Sequence, residues 1–289
     1  MLENLGHYKI LDRIGADAIG DVYRARDTKL GRTVAVKVLS PEISKNPGRR
    51  NRLLLDARAA TALSHPNIAM LYEVGEEKDL TYLVCEFVPG EPLTTIISNR
   101  SLNPRRAIDF ATQLADALAD AHAEGIVHRN LRSSTVTVTP KDKVKILDFG
   151  LAPWQKRGAA AIPVASADED FSADVFALGG IFFEMLTGKQ PPPATLPAPS
   201  TINPAVPREL DQIALKALSK GADNRYQSAA TLAAELRSVA AILDVRSGDR
   251  EPPTLAPVRP RPTRVGLWIT AALILATIVG LVWFATRTG

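Results

Sequence analysis

Residues 128–136 read HRNLRSSTV and residues 145–150 read KILDFG. Whether the chain performs chemistry turns on three side chains in these stretches: the amide of Asn130, the hydroxyl of Thr135 and the carboxylate of Asp148. Three further stretches precede them in order: IGADAIGDVYRARD at 14–27, VAVK at 34–37 and EFVPG at 86–90.

Around these stretches the hydrophobic pattern changes character. Residues 8–39 alternate apolar and polar positions with Gly and Asp between them, the pattern of an antiparallel sheet with hairpins. In TVAVKVL, period two puts Ala35 and Lys37 on one face and Val34, Val36 and Val38 on the other. A helix is expected over roughly 49–64, and strands in IAMLYEV (68–74) and TYLVCEFV (81–88), the second ending at the Pro89-Gly90 breaker. Beyond it the chain turns helical. Asn103 before Pro104 reads as an N-cap, and Ala107, Phe110, Ala111, Leu114, Leu118 and Ala121 form one apolar stripe. Further helices are expected in ADVFALGGIFFEMLTG, RELDQIALKALS and SAATLAAELRSVAAIL. Seven prolines in residues 189–207 exclude a regular helix there.

The 289 residues, 46% hydrophobic and 23% charged, suffice for a large core in one domain or two lobes. A net charge of +4, with basic and acidic residues interleaved, gives no footing for nucleic-acid binding. One cysteine, Cys85, excludes an internal disulfide. The four histidines are too scattered for a metal cluster. Residues 244–264 form a Pro/Arg-rich linker, and Val265 to Ala285 are 21 residues without a charge. At about 1.5 Å per residue they span about 30 Å, the reach of a transmembrane helix, with Trp268 and Trp283 near its ends. Arg259, Arg261 and Arg264 before the span, against Arg287 after it, predict a cytoplasmic domain on the inner membrane with a four-residue tail beyond. Ala272, Ala276 and Gly280 recur every four residues, a face on which two such helices would pair.

Taken in order, the five quoted stretches resemble the glycine-rich loop, phosphate-binding lysine strand, hinge, catalytic loop and magnesium loop of protein kinases. The flanks LSHPNI, DVFALG and NRYQSAATLAAEL resemble those of bacterial Ser/Thr kinases ending in a transmembrane helix. The resemblance covers 8–243 and implies an α+β, bilobal fold: a β-rich N-lobe (8–88) with one helix, and a mostly α C-lobe (89–243). It implies that Lys37 meets nucleotide phosphates and that Asp148 holds a metal ion. Gly15 and Gly20 would close over the nucleotide. Val22 and Ala35 would cover the adenine, with the backbone of Glu86 and Val88 at its edge. The acidic partner of Lys37 would be Asp56, one methylene shorter than the family's glutamate.

The departures are chemical. Asn130 stands where the family carries a catalytic aspartate, and an amide cannot take a proton near neutral pH. Thr135 replaces a magnesium-binding asparagine, while Arg132 keeps a cation in place of lysine. Asp17 replaces the middle glycine of the loop, so it either sets a negative charge against the phosphates or points to solvent. Thr137 replaces a larger apolar residue on the adenine floor. Only 26 steps separate Asp148 from Asp174, short for a substrate-docking segment, and the glutamate that would pair with Arg225 is missing. Arg129 would face Asp168, Glu169 or Asp170, or those acids form a solvated turn. The expectation is a membrane-anchored, catalytically impaired kinase-like scaffold for a partner kinase or cytoplasmic regulator. ATP and a single Mg²⁺ at Asp148 are its expected cofactors. The alternative is a weakly active Ser/Thr kinase.

Overall fold

The computed structural model describes residues 2–17, 19–77, 80–98, 100–151 and 167–247. The chain divides at Leu243, and the unit Met1–Leu243 carries all the motifs quoted above. The expected transmembrane helix and most of the linker lie outside the described residues. Among the described residues no helix is long and apolar enough to cross a membrane.

The first lobe is a six-stranded antiparallel sheet of β1 (Asn4–Leu5), β2 (Tyr8–Ala16), β3 (Gly20–Asp27), β4 (Thr33–Leu39), β5 (Leu71–Glu77) and β6 (Leu80–Glu86). Their order is β1-β2-β3-β4-β6-β5. The period-two reading of β4 holds. Val34 and Val36 pack with Tyr8, Ala25 and Tyr82 on one face. Leu39 on the other face joins Leu53, Ala57 and Ala60 of helix α2. Short α1 (Pro41–Ser44) leads into α2 (Pro47–Ala60), whose first turn is capped by the Asn46 side chain accepting the Arg49 N–H at 3.0 Å.

The second lobe begins with β7 (Glu91–Pro92), which pairs with β8 (Val136–Val138), itself paired with β9 (Val144–Ile146). Helices α3 (Leu93–Ile97), α4 (Pro104–Ala123), α5 (Ala167–Thr187), α6 (Pro199–Ile202), α7 (Arg208–Ala217) and α8 (Ala229–Ser247) supply the rest. The Asn103 carboxamide caps α4 by accepting the Arg105 N–H at 2.9 Å, and every residue of the predicted α4 stripe is buried. These meet Phe182, Met185, Leu210 and Leu236 in one core. The proline-rich stretch contains only the four residues of α6. Helix α5 starts six residues before the expected Ala173 because no Pro or Gly interrupts residues 167–178. The acids Asp168, Glu169 and Asp170 thus lie on its first turn.

The lobes are joined where β9 meets the chain after α2. Ala69 N–H donates to Ile146 O and Ile146 N–H to Asn67 O, each at 2.8 Å. The Asn67 amide then donates to Gln113 and to Val144 O, so this buried polar seam is satisfied.

Candidate nucleotide cleft and catalytic loop

Strand register assembles the cleft. Gly15 pairs with Val22 and Val22 with Lys37, which lines the three up across β2, β3 and β4. Ala35 pairs with Cys85 and Val34 with Glu86, bringing β6 to the same cleft. A Cβ placed on Gly15 would find no atom within 4 Å, whereas one on Gly20 would lie 1.8 Å from Val38 O. Gly15 therefore faces open space, and Gly20 is required by the close approach of β3 to β4.

The catalytic-loop backbone is held rigidly. Arg129 and Asp148 both adopt left-handed φ angles, +64° and +65°, a costly conformation for residues with a side chain. Buried Asp174, on α5, fixes the first by accepting the His128 N–H at 2.7 Å and the Arg129 N–H at 2.8 Å. His128 Nδ1 accepts the Asn130 N–H at 3.2 Å, and Nε2 lies 2.9 Å from Leu147 O, so the ring proton belongs on Nε2. The Phe149 ring meets His128 edge-on at 4.9 Å and is buried in the second-lobe core. Asp174 opens the DVFALG flank, but nothing in its sequence neighbourhood marks it as the clamp.

The Thr135 hydroxyl donates to Arg132 O at 2.9 Å and accepts the Arg132 N–H at 3.0 Å. It closes a 3-10 turn over Ser133–Thr135, so the group standing at the second metal position is committed to backbone. The side chain of Arg132 is exposed and that of Asn130 half-buried.

Lys37 departs from expectation. Its Nζ lies 2.6 Å from Asp148 Oδ1 and 2.7 Å from Asp17 Oδ2. Asp56 instead pairs with Arg52 on its own helix at 3.4 Å. The expected Lys37–Asp56 pair is thus replaced: the short Asp56 side chain stays on α2, and Asp17 brings a nearer carboxylate from the loop. Burial opposes the Lys37 charge, but Asp148 and Asp17 outweigh it and hold the ammonium well above its ordinary pKa.

The Asp17 carboxylate turns back onto its own loop. Its Oδ1 accepts the N–H groups of Ile19 (2.8 Å) and Gly20 (3.1 Å), while its own N–H donates to Gly20 O at 2.9 Å. Ile19 is fully buried with Leu39, Leu53, Ala57 and Leu151, which anchors the loop inward. The sequence signal for that anchor is a lone bulky apolar residue, Ile19, between Ala18 and Gly20 in the glycine-rich loop.

At the hinge, Glu86 N–H donates to Met70 O at 2.7 Å and its carboxylate pairs with Lys145 at 2.8 Å. Val88 is half-buried just beyond. Cys85 is half-buried, and burial pushes its thiol up to about 12. Thr137 is buried on β8. Arg225, left without its glutamate, donates to Ser172 Oγ at 2.8 Å and Ser219 O at 2.9 Å, and stacks 4.7 Å over Phe176.

Strand register puts Val22, Ala35 and Lys37 on one face of the sheet. At the end expected to hold phosphates, Lys37 is engaged by Asp17 and Asp148, and the Ile19 and Gly20 amides by Asp17. For magnesium, Asp148 is engaged by Lys37 and the Thr135 hydroxyl by backbone. Among the described residues no group of three or more His, Cys, Asp or Glu side chains could hold a metal ion.

A two-lobed fold, a strand lysine facing an Asp-Phe-Gly turn and a clamped His-Arg loop define a protein-kinase-like architecture. The family described as protein kinase domain matches residues 8–232, and the chain belongs to it. Among curated relatives, the serine/threonine-protein kinase PrkC of Bacillus subtilis is 31% identical over 269 residues, 81% of this chain and 40% of its own. Serine/threonine-protein kinase PknB of Mycobacterium tuberculosis is 30% identical over 307 residues, 92% of this chain and 46% of its own. The chain therefore spans less than half the length of these relatives. The crystal structure of the M. tuberculosis PknI kinase domain shares the fold: TM-score 0.70 at 24% identity, covering 83% of this chain and 99% of that one.

Proposed function

We propose that the chain is a catalytically impaired protein-kinase-like signalling module whose surface engages a partner kinase or cytoplasmic regulator. The observation carrying this reading is Asn130, an amide at the position of the general base, on a loop whose backbone is otherwise held in place by Asp174. Losing a general base costs about 10²- to 10⁴-fold in rate, and the committed Thr135 hydroxyl weakens metal binding further. The apolar run Val265–Ala285 supports tethering to the cytoplasmic face of the inner membrane, with Ala272, Ala276 and Gly280 as a pairing face.

The test is phosphate transfer to a generic protein substrate by the full chain, alongside Lys37→Ala. Turnover equal to that control is expected, and turnover well above it would establish the slow-kinase alternative. Asn130→Asp combined with Thr135→Asn is expected to restore nothing measurable while the phosphate end of the cleft stays filled. Retention in the membrane fraction after alkaline washing tests the anchor.

A further inference from the structure

The charge arrangement at the glycine-rich loop decides more than whether transfer occurs. One carboxylate, Asp17, satisfies three donors at once: Lys37 Nζ at 2.7 Å, Ile19 N–H at 2.8 Å and Gly20 N–H at 3.1 Å. These are a strand lysine and two loop amides, the kinds of group that hold an anionic phosphate elsewhere. Asp148 takes the same lysine from the other side at 2.6 Å. The contact is partly buried: Lys37 is 7% exposed, the Asp17 and Asp148 side chains 24% and 12%, and buried Ile19 holds the loop down on α2 and Leu151.

We infer that Asp17 is a built-in surrogate for a nucleotide phosphate and the specificity-determining residue of the cleft. It selects for an uncharged ligand of the purine nucleoside class over a nucleoside triphosphate. A triphosphate must displace Asp17 from Lys37, break both of its amide contacts and leave a carboxylate beside several phosphate charges in a partly buried site. A nucleoside makes no demand on Lys37 or the loop amides: register puts Val22 and Ala35 on the sheet face that carries Lys37, and a Cβ on Gly15 would meet no atom within 4 Å. The inference rests on reading the cleft as a nucleotide-type pocket, but not on the loss of transfer.

The experiment is calorimetric titration of the full chain in detergent with adenosine, and with ATP in the presence and absence of Mg²⁺. Wild type, Asp17→Gly and Asp17→Asn are compared, the second variant keeping the shape and removing the charge. Wild type is expected to bind adenosine at least about tenfold more tightly than ATP, roughly 1.4 kcal/mol. Both variants should tighten ATP binding by about tenfold or more and leave adenosine within about twofold. ATP affinity unchanged in both variants would overturn the inference, as would wild type preferring ATP or no binding by any of the three proteins. Phosphate transfer by the same preparations separates the two readings. Turnover by wild type sinks catalytic impairment alone, whereas unchanged ATP affinity sinks the role of Asp17 alone.

Discussion

The Asp174 carboxylate accepts the backbone N–H of His128 at 2.7 Å from a position only 1% exposed. Its other oxygen takes the Arg129 N–H at 2.8 Å, and His122 Nε2 lies 3.0 Å from the first. A buried donor left without an acceptor costs about 1–3 kcal/mol, and Arg129 must also be held at a left-handed φ. Asp174→Ala is therefore expected to destabilise the fold by about 3 kcal/mol or more, read as a lower melting temperature. Asp174→Asn keeps one acceptor oxygen and should lose less. Equal melting of wild type and Asp174→Ala would show that the loop is held by something else.

The two loop glycines do different work, which separate substitutions expose. A Cβ on Gly20 would lie 1.8 Å from Val38 O and 2.9 Å from Ser40 N, so β3 and β4 would have to part. Gly20→Ala should cost about 2 kcal/mol or more, the scale of overpacking. Gly15 has no atom within 4 Å of that position, so Gly15→Ala should leave the melting temperature within a degree or two. A loss at Gly15 equal to that at Gly20 would contradict this division.

Much of this architecture was legible because periodicity reports burial directly. The face assignment of β4 and the α4 stripe follow from periods of two and 3.6, and the Asn103-Pro104 cap from the orphan N–H groups of a helix start. Pairings between distant loops left no such trace. Asp56 has the right spacing for Lys37, but spacing does not say which carboxylate is closer in space, and Asp17 takes the lysine. Asp17 and Arg225 announced themselves as chemical oddities, while their partners, Lys37 on β4 and Ser172 on α5, became visible only with the chain folded. The start of α5 lies ahead of the expected Ala173 because an acidic stretch reads equally well as a solvated turn or as the first turn of a helix.

Burial raises the pKa of Glu184, and a hydrogen bond from the Ser133 hydroxyl only partly opposes it. The folded state therefore binds this proton more tightly than the unfolded chain. Wild-type stability consequently falls as pH rises from the unfolded pKa through the folded one. Glu184→Gln has no proton to lose. Its melting temperature relative to wild type should be lowest below about pH 4 and rise toward about pH 7, above the ordinary glutamate range. A difference constant across that window would mean that the carboxyl does not titrate abnormally.

Cys85 offers the most direct probe of the cleft, because it is the sole cysteine and sits beside Ala35 in the β4–β6 pairing. Burial pushes its thiol up to about 12, with Asp148 and Asp17 adding to the rise and Lys37 opposing it. At pH 8 the thiolate fraction would be about 10⁻⁴, against about a quarter for an ordinary cysteine, and only the thiolate reacts. Alkylation of the folded chain by iodoacetamide should thus run about a thousandfold slower than that of a free cysteine and recover in denaturant. Asp17→Gly should tell the electrostatic contributions apart from burial: removing a nearby negative charge lowers the pKa and speeds the reaction if the loop stays closed. A wild-type rate within about tenfold of free cysteine would show that the thiol is solvated and the cleft around β6 more open than the folded geometry implies.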